Sequence, residues 1–124
     1  MRFLPISLLV LALYAQSTVA AESIRILLQN SPLAGSQYYA VSTSRTDIRV
    51  GDRLTLIREP DNRHDRHAIR VEWNGHKLGY VPRAENKAAA RAMDGGEKLE
   101  ARVTRLRDDP DPWRRVEFAV YLTL

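Results

Sequence analysis

Apolar residues recur at every second position through three stretches of this 124-residue chain, and that period restricts the fold more than any other feature. Ile69, Val71 and Trp73 alternate with Arg70 and Glu72; Leu99, Ala101 and Val103 alternate with Glu100, Arg102 and Thr104; and Val116, Phe118, Val120, Leu122 and Leu124 share one side of a final run. Period two puts successive side chains on opposite faces, so these are half-buried strands. Ile24–Leu28, Tyr38–Ser42, Arg53–Arg58 and Lys77–Val81 read as further strands. Asn74-Gly75, between two alternating runs, predicts a hairpin, because both residues tolerate the positive φ of a type I′ turn.

One helix is expected between Pro82 and the Gly95-Gly96 stop. Ala84, Ala88 and Ala92, with Ala89 and Met93 beside them, are spaced to give it a narrow, smooth face for a sheet, and Arg83, Lys87 and Arg91 a basic one. Asp108-Asp109-Pro110-Asp111-Pro112 is a turn-rich loop before the last strand. About seven short strands with one helix predict a mainly β fold, a small OB-like barrel that is closed or nearly closed, with an open sandwich as the alternative.

The first 21 residues stand apart from this domain. A short positive start (Met1-Arg2), an apolar run from Leu8 to Ala15, and small residues at Thr18-Val19-Ala20-Ala21 have the three-part layout of a secretory signal peptide. Cleavage after Ala20 or after Ala21 fits; a buried helix or a retained anchor is the alternative. The apolar run is shorter than the roughly 20 residues a membrane span requires. The expectation is an exported, soluble domain over residues 22–124, periplasmic or secreted, without stable membrane insertion. With no cysteine, it can have neither disulfide nor lipid-anchored thiol. Loss of residues 1–21 leaves 18 basic against 15 acidic residues, lowering the formal charge from +4 to +3, a mild excess compatible with phosphate binding.

Three segments in order carry a family resemblance: Gly35-Ser36-Gln37-Tyr38-Tyr39; the run from Val50 to Val71, containing Glu59-Pro60-Asp61-Asn62-Arg63-His64-Asp65-Arg66-His67-Ala68-Ile69; and Gly75–Pro82, containing Leu78-Gly79-Tyr80-Val81-Pro82, followed by the alanine-rich helix. Together they resemble the HIRAN domain over about residues 33–124, a module found in some helicase-like transcription factors and free-standing in bacteria. The resemblance implies a modified OB-fold that binds single-stranded DNA at its 3′-hydroxyl end. Animal members have an aromatic residue where His64 stands and an arginine where Gln37 stands, and both replacements weaken the electrostatic grip on a strand.

The residues also support this chemistry directly. One ring of the Tyr38-Tyr39 pair could face a groove and stack on a base, worth about 1–3 kcal/mol per base, while its neighbour packs inward; both could equally be core or surface tyrosines. The resemblance selects Tyr38 as the stacker. An aspartate at 65, in a turn between strands, could accept a hydrogen bond from a terminal sugar hydroxyl and repel a terminal phosphate; it could equally cap backbone N–H groups. The resemblance gives Asp65 the end-recognising role, and Asn62 reads as structural. Imidazole at His64 can still stack, and Gln37 can hydrogen-bond a base edge. Arg83, Lys87 and Arg91 could follow phosphates or simply be a solvated face. Arg63 and Arg66 would add positive potential and favour the ionised Asp65. RNA ends are the sister ligand to DNA ends.

Other chemistries find less support. His64, Asp65 and His67, with His76 further on, could be read as a zinc site, but the i, i+3 histidine spacing suits a helix and this segment reads as a turn. Glu59, Asp61 and Asp65 could hold a nuclease metal, although Pro60 and Asn62 mark turn chemistry. No phosphate-cradling glycine loop, nucleophile elbow or thiol is present, so the chain is expected to bind without catalysing and to need no cofactor. The competing function is an exported module that keeps the barrel but binds an envelope protein or a glycan.

Overall fold

The computed structural model describes residues 24–35 and 47–124. The expected leader (1–21), Gln37, Tyr38, Tyr39 and the Tyr38–Ser42 strand lie outside these. Six strands are present among the described residues: β1 (Arg25–Pro32), β2 (Arg53–Arg58), β3 (Ile69–Trp73), β4 (His76–Tyr80), β5 (Lys98–Leu106) and β6 (Val116–Thr123). One antiparallel sheet runs in the order β1-β6-β5-β2-β3-β4. It consists of two three-stranded halves joined by a short β2–β5 pairing, Arg53 with Arg102 and Leu54 with Ala101.

The sheet curls so that its two ends meet. Just beyond β1, Ala34 and Tyr80 exchange backbone hydrogen bonds, each 2.9 Å. This single bridge makes the OB-like barrel nearly closed, one of the two forms expected. Gly79 makes the approach feasible, because a Cβ there would collide with the carbonyl oxygen of Ala34 and press on the side chain of Leu33. Asn74 (φ 47°) and Gly75 (φ 79°) form the predicted tight turn between β3 and β4.

Alternation fills the barrel. Ile69 and Val71 of β3, Val103 of β5 and Val116, Phe118 and Val120 of β6 are fully buried, joined by Leu33, Leu78 and Val81. Each such aliphatic side chain contributes about 1.5–3 kcal/mol on burial.

The helix departs from its expected form. Arg83–Glu85 is a 3₁₀ turn, and α1 proper spans Lys87–Asp94. The buried stripe is Asn86, Ala89 and Ala90, with Met93 packed against the core; Ala84 and Ala88 are exposed and Ala92 is half-buried. Ala89 and Met93 thus pack inward as expected, while the 3₁₀ turn takes Ala84 out of the helical phase and the buried stripe is centred away from Ala88. Gly95-Gly96 does end the helix. Gly96 takes φ 88°, and the N–H groups of Gly96 and Glu97 close on the carbonyls of Met93 and Ala92. No helix among the described residues is long and apolar enough to cross a membrane.

Candidate nucleic-acid interface

Ten residues, Glu59 to Ala68, connect β2 to β3, and side chains that bond their own backbone give the loop its shape. The Glu59 N–H donates to the Ala68 carbonyl (2.9 Å) and pins the base. Asn62 Oδ1 accepts from the N–H groups of His64 (2.9 Å) and Asp65 (3.2 Å). Asp65 Oδ1 then accepts from the His67 N–H at 2.9 Å. These are consecutive Asx-type turns, each carboxylate or amide replacing a missing backbone partner.

The loop is anchored on three sides. Glu59 Oε1 accepts from Asn62 Nδ2 and from the Tyr80 hydroxyl, both 2.9 Å, and Glu59 Oε2 faces Arg70 at 3.3 Å. Burial alone would raise the pKa of Glu59; the hydrogen bonds from Asn62 and Tyr80, with the charges of Arg70 and Lys77, hold it below the ordinary carboxylate value. Arg58 donates to the Ala68 carbonyl (3.1 Å) and forks onto Asp94 at the end of α1 (3.0 and 3.2 Å). On the third side, Asn86 Nδ2 donates to Asp65 Oδ2 at 2.7 Å.

Two clefts flank this loop and share Asn62, His64, Asp65 and Arg83 as their common wall. The smaller, about 280 Å³, is completed by Ala34, Ala68, Tyr80 and Val81. The larger, about 590 Å³, is cationic: Arg63, Arg66, His67 and Lys87 join the common wall. Arg63, Arg66, Arg83 and Lys87 are exposed and form no ion pair among the described residues.

Asp65 is half-buried between the clefts. Burial would raise its pKa, but the His67 N–H, the Asn86 amide and the charges of Arg83 and His67 together hold it below the ordinary value. Arg83 and His67 are charges that favour its ionised form, and Arg63 and Arg66 line the same cationic cleft. Its two sequence readings coexist: the carboxylate caps a turn and also lines both clefts. A carboxylate offers about four acceptor sites, so one bond on each oxygen leaves capacity for a ligand.

The structure thus brings His64, Asp65, Arg66, Arg83 and Lys87 to one place. It separates Arg91 from them; that side chain lines another groove, beside Leu28 and Gln29. The metal reading of His64, Asp65 and His67 finds no geometry, since among the described residues no group of three or more His, Asp or Glu could hold a metal ion. Two residues escaped the assignment of roles from sequence. Tyr80 was visible in the Leu-Gly-Tyr-Val-Pro run, and Lys77 Nζ lies 4.7 Å from its ring centroid. Asn86 carried no signal, being one polar residue inside an expected helix.

Comparison with known proteins agrees with this architecture. The HIRAN domain model matches residues 26–124, beginning before the motif-bearing segments and taking in most of β1. A crystal structure of a protein from Lactobacillus plantarum is 30% identical, with a TM-score of 0.69, covering 82% of this chain and 98% of that one. The crystal structure of the HIRAN domain of human HLTF is similar in fold, with a TM-score of 0.58 at 21% identity, covering 80% of this chain and 77% of that one. No curated protein matches the chain. With a family model matching nearly all of the strand-forming sequence, the chain belongs to the HIRAN domain family, a family of nucleic-acid-binding modules.

Proposed function

We propose that this chain binds the 3′ end of a single nucleic-acid strand, DNA in the first instance and RNA as the variant ligand. Asp65 accepts the terminal sugar hydroxyl, while Arg66, Arg83 and Lys87 meet phosphates. Tyr38, with Tyr39, Gln37 and His64, supplies stacking and base-edge contacts. The observation that carries the reading is the placement of Asp65. An ionised carboxylate with acceptor capacity to spare is held in the wall between a mostly apolar cleft and a cationic one. The protein acts as a binding module without catalysis or cofactor, and the pattern of residues 1–21 supports action after export.

The test is a fluorescence-anisotropy titration with short oligonucleotides ending in a 3′-hydroxyl or a 3′-phosphate, at low and moderate salt. Preferential binding of the hydroxyl end is expected. Equal affinity for both ends would leave strand binding without end recognition.

A second reading, an envelope protein as partner, is favoured by one feature of another face. Ile24, Ile26, Leu27 and Leu28, at and just before the start of β1, are all exposed. Absence of oligonucleotide binding at low salt, where phosphate contacts are strongest, would decide for it.

A further inference from the structure

Asn86 is only 2% exposed, although it lies between two exposed cations, Arg83 and Lys87. An asparagine at the start of a helix ordinarily turns its side chain onto the first free N–H groups. Asn86 does not. It sits in the helical region itself (φ −94°, ψ −14°), makes no side-chain cap, and gives only its backbone oxygen to the Ala90 N–H at 2.8 Å. Its amide instead crosses to the β2–β3 loop and donates to Asp65 Oδ2 at 2.7 Å. The other carboxylate oxygen is held by the His67 N–H at 2.9 Å, so the plane of the carboxylate is gripped from the helix and from the loop at once.

We infer that Asn86 is a positioning residue: it orients the Asp65 carboxylate, registers Arg83 and Lys87 to it, and thereby sets the preference for a 3′-hydroxyl over a 3′-phosphate end. This rests on the proposed function for the ligand but not for the geometry. The helix start and the loop are separate elements, and the 2.7 Å bond joins the acceptor on one to the cations on the other. Without the donor, the carboxylate keeps a single grip and can rotate, and its charge loses a stabilising partner beside His64, His67, Arg63, Arg66, Arg83 and Lys87.

The test compares native protein with Asn86→Leu, which keeps the branched outline, is somewhat larger and removes the donor, and with Asn86→Asp, which is nearly isosteric and places a like charge against Asp65. The Asp65 carboxyl is titrated by carbon-detected NMR without ligand, and affinities are measured for 3′-hydroxyl and 3′-phosphate oligonucleotides. The Asp65 titration is expected to move to higher pH in Asn86→Leu and further in Asn86→Asp. Selectivity should fall roughly tenfold, the worth of one hydrogen bond to a charged group, while in Asn86→Leu, which changes no charge, the salt dependence of binding stays as in the native protein. Asn86→Asp carries the test if Asn86→Leu does not fold. An Asp65 titration unmoved in the variants overturns the inference, whatever the oligonucleotides do. If the titration moves but the native protein shows no end preference, end recognition fails and the orienting of Asp65 by Asn86 stands.

Discussion

The Tyr80 hydroxyl donates to Glu59 Oε1 at 2.9 Å, so the last residue of β4 holds the first residue of the loop that carries Asp65. Tyr80 is also the residue whose backbone closes the barrel on Ala34. Barrel closure and loop shape are thereby joined at one residue. Replacing Tyr80 by Phe keeps the ring and deletes the donor. The expected cost is about 1 kcal/mol in urea unfolding, with chemical-shift changes concentrated at Asn62, His64 and Asp65.

Gly79→Ala tests the closure itself. The added methyl has nowhere to go except into the Ala34 carbonyl, which already accepts from the Tyr80 N–H. A loss of about 2 kcal/mol or more is expected, read as a lower urea midpoint, with the amide of Ala34 exchanging faster with solvent.

Acid should loosen the loop through Glu59 and Asp65. Both carboxyls titrate below their ordinary values in the folded chain. Each therefore contributes stability that is full above the unfolded-state value, about 4, and is lost as pH falls through the lowered folded value. Unfolding free energy from these two groups should be flat from pH 7 to about 5 and decline below about 4. Glu59→Gln should flatten that decline in a stability–pH series.

Much of this architecture could be read in the sequence, and the failures have physical causes. β2 and β3 have the boundaries that alternation predicted, and Asn74-Gly75 makes its turn, because strand period and turn chemistry are local properties. The helix face was legible in part: Ala89 and Met93 pack inward as expected, but a short 3₁₀ turn changes the angular spacing before α1 begins, and nothing local distinguishes Arg83–Glu85 from a first helical turn. Asp65 could be placed in a turn, and Asn62 could be given a structural part. What pairs with Asp65 from a distance could not, since Asn86 reaches it across 21 positions of chain.

The division of the basic stripe gives a comparison within one short segment. Arg83 and Lys87 line the cationic cleft, whereas Arg91 lies beside Leu28 and Gln29. Arg83→Ala and Lys87→Ala should each weaken oligonucleotide binding and reduce the slope of log K against log salt by about 0.7. Arg91→Ala should leave both unchanged.

Asp65→Asn tests the central claim most directly. The substitution keeps shape, removes the charge that would repel a terminal phosphate, and exchanges one acceptor oxygen for an amide donor, so one of the two bonds from His67 and Asn86 is given up. The account predicts that affinity for a 3′-phosphate oligonucleotide rises toward that for the 3′-hydroxyl form, collapsing the native preference. A preference of the same size in Asp65→Asn as in the native protein would contradict it, and would move the source of end recognition away from this carboxylate.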